Sequence, residues 1–185
     1  MKQLSDYIVV IDNVVRSDLI SAIEREYFNS EDWVVATTVD GKNVKVRNCF
    51  TIGISFSSII QKNPVLRTHI DKEIHIATQK ILKRYRGKFS DVNIELDTGY
   101  DLLRYETGQF YTEHTDFFMQ MPRTLSCSIA LNDDYEGGEF AFFNREVKYK
   151  IPKGSAILFP SNFMYPHEIT PITSGTRYSI VTWFR

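Results

Sequence analysis

Residues 104–116 read Arg-Tyr-Glu-Thr-Gly-Gln-Phe-Tyr-Thr-Glu-His-Thr-Asp. Gly108 punctuates the run, with one strand expected before it over 100–105 and another after it over 109–114. His114 and Asp116 stand two residues apart. On a strand that spacing turns both side chains to one face, where both reach a single metal ion. The bare pair carries little information, because a match of this length arises easily by chance. Its meaning comes from what flanks it along the chain.

Downstream, short apolar runs at 124–131, 138–143, 146–151, 155–159, 164–169 and 176–184 are divided by Gly, Pro and Asn/Asp turns. With the first two they make eight short strands, the pattern of a sandwich or barrel. His167 falls in one of them and supplies a second imidazole. In a jelly roll, distant strands become neighbours, so His114, Asp116 and His167 can converge. Two imidazoles and one carboxylate form the facial triad used by non-haem Fe(II), which leaves three coordination positions for a chelating cosubstrate and dioxygen. Arg177 follows His167 by ten residues, an even count that keeps it on the same face, and the two strands are expected to be hairpin partners. An inward guanidinium needs an anion. The far carboxylate of a dicarboxylate ligand supplies one.

Upstream, Tyr7 to Ile11 is a strand candidate. Ser17 is expected to cap a helix through Phe28, with Leu19, Ile20, Ile23 and Tyr27 on one face. Residues 33–39 and 42–56 read as paired strands joined at Asp40-Gly41. A helix is expected over 64–86, with Asn63 as cap, Pro64 in the first turn and Gly87 as stop. Its apolar stripe is Leu66, Ile70, Ile74, Ala77, Ile81 and Tyr85. The basic residues near its end suit the helix dipole. His69 and His75 lie six apart on it and do not share a face as ligands would.

The 185 residues are 43% hydrophobic and 24% charged, enough apolar content for a packed core. Lys+Arg number 22 against 23 Asp+Glu, so the net charge is -1, which argues against nucleic acid held by bulk charge. Cys49 and Cys127 form no disulfide framework or metal cluster and read as buried thiols. The opening residues do not form a signal peptide, and no run is long enough to cross a bilayer, so the expectation is a cytoplasmic protein without a membrane partner. The chain is expected to be one domain over 1–185, with supporting helices and strands in 1–99 and the site-bearing core in 100–185.

The run 104–116 resembles the R-Y-x-x-G-Q-x-Y-x-x-H-x-D signature of prolyl 4-hydroxylase-like dioxygenases dependent on Fe(II) and 2-oxoglutarate. Later pieces match in order: Arg123 to Ser126, Leu131-Asn132-Asp133, Tyr135 to Glu139, Pro152 to Ala156, Phe159-Pro160, His167, and Arg177 through Trp183. The resemblance implies a mainly β double-stranded β-helix (jelly roll) supported by N-terminal α-helices. It implies hydroxylation of an unactivated C–H bond in a peptide or protein, dioxygen as oxidant, succinate and carbon dioxide as co-products, and ascorbate as a reductant. By position, His114, Asp116 and His167 would hold Fe(II) and Arg177 the distal carboxylate of 2-oxoglutarate. Tyr105 would line the cosubstrate pocket, and Tyr111 would stand near iron and substrate as a catalytic residue. Arg123 and Trp183 would face the substrate. Relatives often carry a Tyr before the Leu-Asn pair; here it is Ala130, and Ser126 or Ser179 is expected to replace its hydroxyl. A nucleic-acid dealkylase on the same barrel and a non-catalytic jelly-roll binding module are the alternatives; the dealkylase branch carries an Arg where this chain has Trp183.

Overall fold

The computed structural model describes residues 2–38, 41–55, 63–94 and 96–185. In chain order the strands are β1 (Val9–Ile11), β2 (Val34–Val35), β3 (Arg47–Asn48), β4 (Phe50–Gly53), β5 (Asp101–Glu106), β6 (Phe110–His114), β7 (Leu125–Ala130), β8 (Glu136–Gly137), β9 (Phe140–Phe142), β10 (Val147–Tyr149), β11 (Ala156–Pro160), β12 (His167–Ile169), β13 (Ile172–Ser174) and β14 (Thr176–Phe184). The helices are α1 (Ser17–Ile23) and α2 (Pro64–Lys88).

Seven strands form one antiparallel sheet in the order β1-β11-β7-β14-β5-β4-β2, and five form a second in the order β10-β9-β12-β6-β3. A short ribbon pairs β13 with β8. The long central strands show why two layers close here. In β14, Ile180 and Phe184 pack with the helices, whereas Arg177, Val181 and Trp183 line the space between the sheets. That is the two-residue alternation of a strand. β11 divides likewise, with Ala156 and Leu158 toward the helices and Ile157 and Phe159 toward the interior. β7 is buried at all six positions because both of its faces are covered.

Helix α2 buries Ile70, Ile74, Ala77, Ile81 and Tyr85 against this sheet. Leu66 of the expected stripe is exposed instead, one turn before the helix reaches the core. The helix runs through Gly87 to Lys88, since a single Gly costs only about 1 kcal/mol in a helix this well packed. Ile74 is 1% exposed. Ile74→Ala is expected to cost about 2–5 kcal/mol of stability. Urea unfolding would read this as a lower midpoint at unchanged slope.

Other expectations shift locally. Ser17 is the first helical residue rather than the cap, and after Ile23 the chain passes into a π-helical turn over Glu24–Phe28 that still buries Tyr27. Asn63 makes no capping bond and donates its amide to Glu26 Oε2 at 2.8 Å. The expected strand pair 33–39 and 42–56 contracts to β2, β3 and β4, with a turn at 44–46 breaking the alternation. Asp40 of the expected turn and Phe56 lie outside the described residues. The eight strands expected from residue 100 onward all occur within a few residues of their expected bounds. β8 and β13 are additional, and they are too short to carry a periodic signal.

Candidate metal and cosubstrate site

β6 and β12 are neighbours in the smaller sheet, with His167 in register opposite His114. Asp116 lies just past the end of β6 rather than on the strand. The ligand atoms of His114, Asp116 and His167 all fall within 4.8 Å of one another. His114 Nε2 is 3.6 Å from Asp116 Oδ1, and His167 Nε2 is 3.6 Å from Asp116 Oδ2. Each ring is oriented from behind. His114 Nδ1 donates to the Thr112 carbonyl at 2.8 Å, and His167 Nδ1 to the Tyr165 carbonyl at 3.1 Å. A carbonyl only accepts, so Nδ1 carries a proton and Nε2 is the nitrogen turned toward the cluster. His69 and His75 are elsewhere; His75 is bound to Asp97 at the helix surface.

The electrostatics prepare the cluster for a cation. Burial would raise the Asp116 carboxyl, but the facing His167 and His114 and the hydroxyl of Ser126 overcome it and hold the group well below the usual carboxylate range. Burial, opposed by Asp116 and assisted by the like charge of His114, lowers His167 to about 4. His167 is therefore neutral at pH 7, as a metal ligand must be. The unfolded chain takes up that proton near 6.5, while the folded one resists it down to about 4. Between these values the unfolded state binds more protons, so the metal-free protein is expected to lose stability as pH falls from 6.5 to 4. Urea unfolding of the metal-free protein across this range checks it, and His167→Gln should flatten the slope.

Arg177, on β14, lines the same cavity, which has a volume of about 280 Å³. It is 3% exposed. Its Nη1 donates to Ser179 Oγ at 2.9 Å, and the rings of Tyr105 and Phe140 lie 5.4 Å from its Cζ. It forms no ion pair among the described residues. β12 and β14 are not hairpin partners, as the sequence suggested; they belong to different sheets, and Arg177 and the cluster line the same cavity. Gly137 and Gly138 explain the turn before β9. Both have positive φ, and a Cβ on Gly138 would come within 3.1 Å of Arg177 Cδ, so a side chain there would displace the arginine stem. Ala130 is buried and in register with Ser179.

Tyr105 is 1% exposed, with its hydroxyl pushed up by burial. Tyr111 stacks on His114 at 3.5 Å between centroids. Arg123 lies 3.7 Å over the Trp183 ring at the open side. Ser126 is placed at the metal cluster: it donates to Asp116 Oδ2 at 2.6 Å and sits 2.8 Å from Ser161 Oγ. Arg104, first in the quoted run, is outside the cavity, sandwiched 4.6 Å from each of the Trp33 and Phe50 rings. Cys49 and Cys127 are buried and unpaired, and burial pushes the Cys127 thiol up to about 12. Arg47, Thr37 and Thr38 also line the cavity. Sequence reading missed them because the strand that presents Arg47 is two residues long.

A double-stranded β-helix that gathers two imidazoles and a carboxylate in one cavity with a buried arginine, itself without an ion pair among the described residues, has the form of a mononuclear non-haem iron oxygenase. The comparisons with known proteins agree. Residues 100–185 match the model of the 2OG-Fe(II) oxygenase superfamily. A PKHD-type hydroxylase of Synechococcus sp. (strain JA-2-3B'a(2-13)) is 33% identical over 89 residues, covering 43% of this chain and 39% of the relative. Prolyl 4-hydroxylase 1 of Arabidopsis thaliana is 28% identical over 205 residues, covering 93% of this chain and 68% of that protein. The chain thus spans about two fifths of the length of the PKHD-type hydroxylases it matches. Among solved structures, a prolyl hydroxylase from Trichoplax adhaerens, in complex with a hypoxia inducible factor peptide fragment, superposes with TM-score 0.79 at 18% identity, covering 97% of this chain and 84% of that one. A Pseudomonas putida prolyl-4-hydroxylase gives 0.73 at 19%, covering 97% and 92%. Residues 100–185 thus resemble the 2OG-Fe(II) oxygenase superfamily in sequence, and the whole fold resembles that of prolyl 4-hydroxylases.

The donor set fits the ions this family uses. Two imidazoles and a carboxylate suit Fe(II), and a buried guanidinium that forms no ion pair among the described residues suits the distal end of 2-oxoglutarate. Among the described residues no helix is long and apolar enough to cross a membrane.

Proposed function

We propose that the chain is an Fe(II)- and 2-oxoglutarate-dependent hydroxylase of a peptide or protein, releasing succinate and carbon dioxide. The observation that carries this reading is that the His114–Asp116–His167 cluster and the buried Arg177 line one cavity. His114, Asp116 and His167 would hold Fe(II), and Arg177, steadied by Ser179, would grip the distal carboxylate of 2-oxoglutarate. Iron and cosubstrate, when bound, supply the oxidising power needed to break an unactivated C–H bond with dioxygen; ascorbate would serve as external reductant.

The protein's own residues orient and exclude. The Thr112 and Tyr165 carbonyls fix both imidazole planes, a constraint that commonly raises metal affinity. Ser126, backed by Ser161, fixes the Asp116 carboxylate. Tyr111 stacks on His114 and restricts its ring. Phe140 and Phe159 pack about His167 and keep bulk water from the buried side of the cluster. Tyr105 lines the cosubstrate end. Arg123 and Trp183, at the open side, face the substrate, and the half-exposed Phe117 beside them gives the mouth an apolar lip. Residues 100–185 carry the chemistry, and the preceding residues buttress the larger sheet and complete the rim.

The test is succinate formation that requires both Fe(II) and 2-oxoglutarate, followed by product mass. A gain of one oxygen on a proline-containing peptide supports the reading. Loss of an alkyl group from an oligonucleotide would replace it with a dealkylase, and no succinate under any condition would leave a binding module.

A further inference from the structure

Two further arginines, Arg47 and Arg123, line the cavity in addition to Arg177. Arg47 comes from β3, in register with Tyr111, and its Cζ lies 5.0 Å from that ring. Arg123 rests on Trp183 and reaches Phe118 at 5.7 Å. Each spends one nitrogen on a backbone carbonyl: Arg47 Nη1 donates to Thr37 at 2.9 Å and Arg123 Nη1 to Asp116 at 3.3 Å. The Nε of each is buried without a hydrogen-bond partner. Neither forms an ion pair among the described residues.

Such guanidinium groups are costly to leave unpaired at a partly dry site. Asp116 is the only acidic group lining the cavity among the described residues, and it is engaged by both imidazoles. Asp101 on β5 is the other acid within electrostatic reach. It is largely buried, its carboxyl is raised by burial against the pull of Arg47 and Arg123, and it does not line the cavity. Both arginines line the cavity, together with Tyr111. An anion entering from the mouth would relieve both. The stacked rings hold the guanidinium forks in place for a planar carboxylate.

We propose that Arg47 and Arg123 form a carboxylate-receiving clamp, so that the chain selects peptides with Asp or Glu beside the residue that is hydroxylated. This rests on the peptide-hydroxylase reading and deepens it. The full chain, loaded anaerobically with Fe(II) and 2-oxoglutarate, would be titrated with two fluorescent decapeptides differing only in Glu or Gln next to a central proline. The Glu peptide is expected to bind at least about tenfold tighter, with the preference shrinking as salt rises. Arg47→Gln is expected to reduce the preference to about threefold or less, and Arg123→Gln likewise. Equal binding of the two peptides by the unmodified chain, or binding of neither, overturns the clamp. So does a preference that survives both substitutions. Succinate formation without peptide tests the oxygenase reading separately: if it is present and the peptides are treated alike, only the clamp fails; if it is absent, the underlying reading fails.

Discussion

Asp116→Asn is expected to reduce iron-dependent succinate formation at least about 1000-fold. Asn keeps the shape and still accepts the bond from Ser126, so the local packing survives. What disappears is the one negative charge among the three ligand groups. Two imidazoles would then face a dication without the anion that the structure holds strongly ionised between them. Loss of a hydrogen-bonded carboxylate ligand from a dry site removes several kcal/mol of metal affinity, and each ~1.4 kcal/mol is a factor of ten. The check is succinate release at saturating 2-oxoglutarate, with metal content measured on the same samples. Turnover within tenfold of the unmodified protein would contradict the ligand assignment.

Arg177→Met is expected to raise the KM for 2-oxoglutarate by about 100-fold or more while leaving metal binding close to normal. Among the described residues the buried guanidinium bonds Ser179 and lies against two aromatic faces, with no anion paired to it. A carboxylate arriving there gains two charge-assisted bonds; without the arginine it would be buried unpaired, a difference of about 3 kcal/mol or more. A second consequence separates this from general damage. An unpaired buried cation stabilises nothing in the ligand-free fold, so Arg177→Met should leave the melting temperature of the free protein unchanged or raised. The added stability conferred by saturating 2-oxoglutarate should vanish. Unchanged KM, or a large loss of stability without ligand, would show that the arginine has a purely structural role.

The strand-rich half of this fold was legible because its signals are local. Runs of five to nine strand-forming residues between turn residues define β5, β6, β7, β11 and β14, and alternation alone puts Arg177 and Trp183 on one face of β14. Pairing was not legible. The closeness of His167 and Arg177 in sequence suggested a hairpin, yet their strands lie in opposite sheets, because a double-stranded β-helix sends successive strands to alternate layers. The triad was readable in composition but not in geometry: Asp116 joins it from beyond the end of β6. Ser126 was read as a substitute hydroxyl for the cosubstrate and stands at Asp116, a distinction that depends on side-chain packing across β7. Arg47 was invisible, since β3 has no periodicity and gains its place only by pairing with β6.

The account turns on whether iron and 2-oxoglutarate share this cavity. Fe(II) and 2-oxoglutarate added anaerobically to the purified chain should produce the weak visible absorption of metal-to-ligand charge transfer, in a one-to-one ratio with protein. It should be absent with either component alone and lost in Asp116→Asn. Absence of that band from the folded, unmodified chain at saturating concentrations of both, or its persistence undiminished in Asp116→Asn, would contradict the central claim.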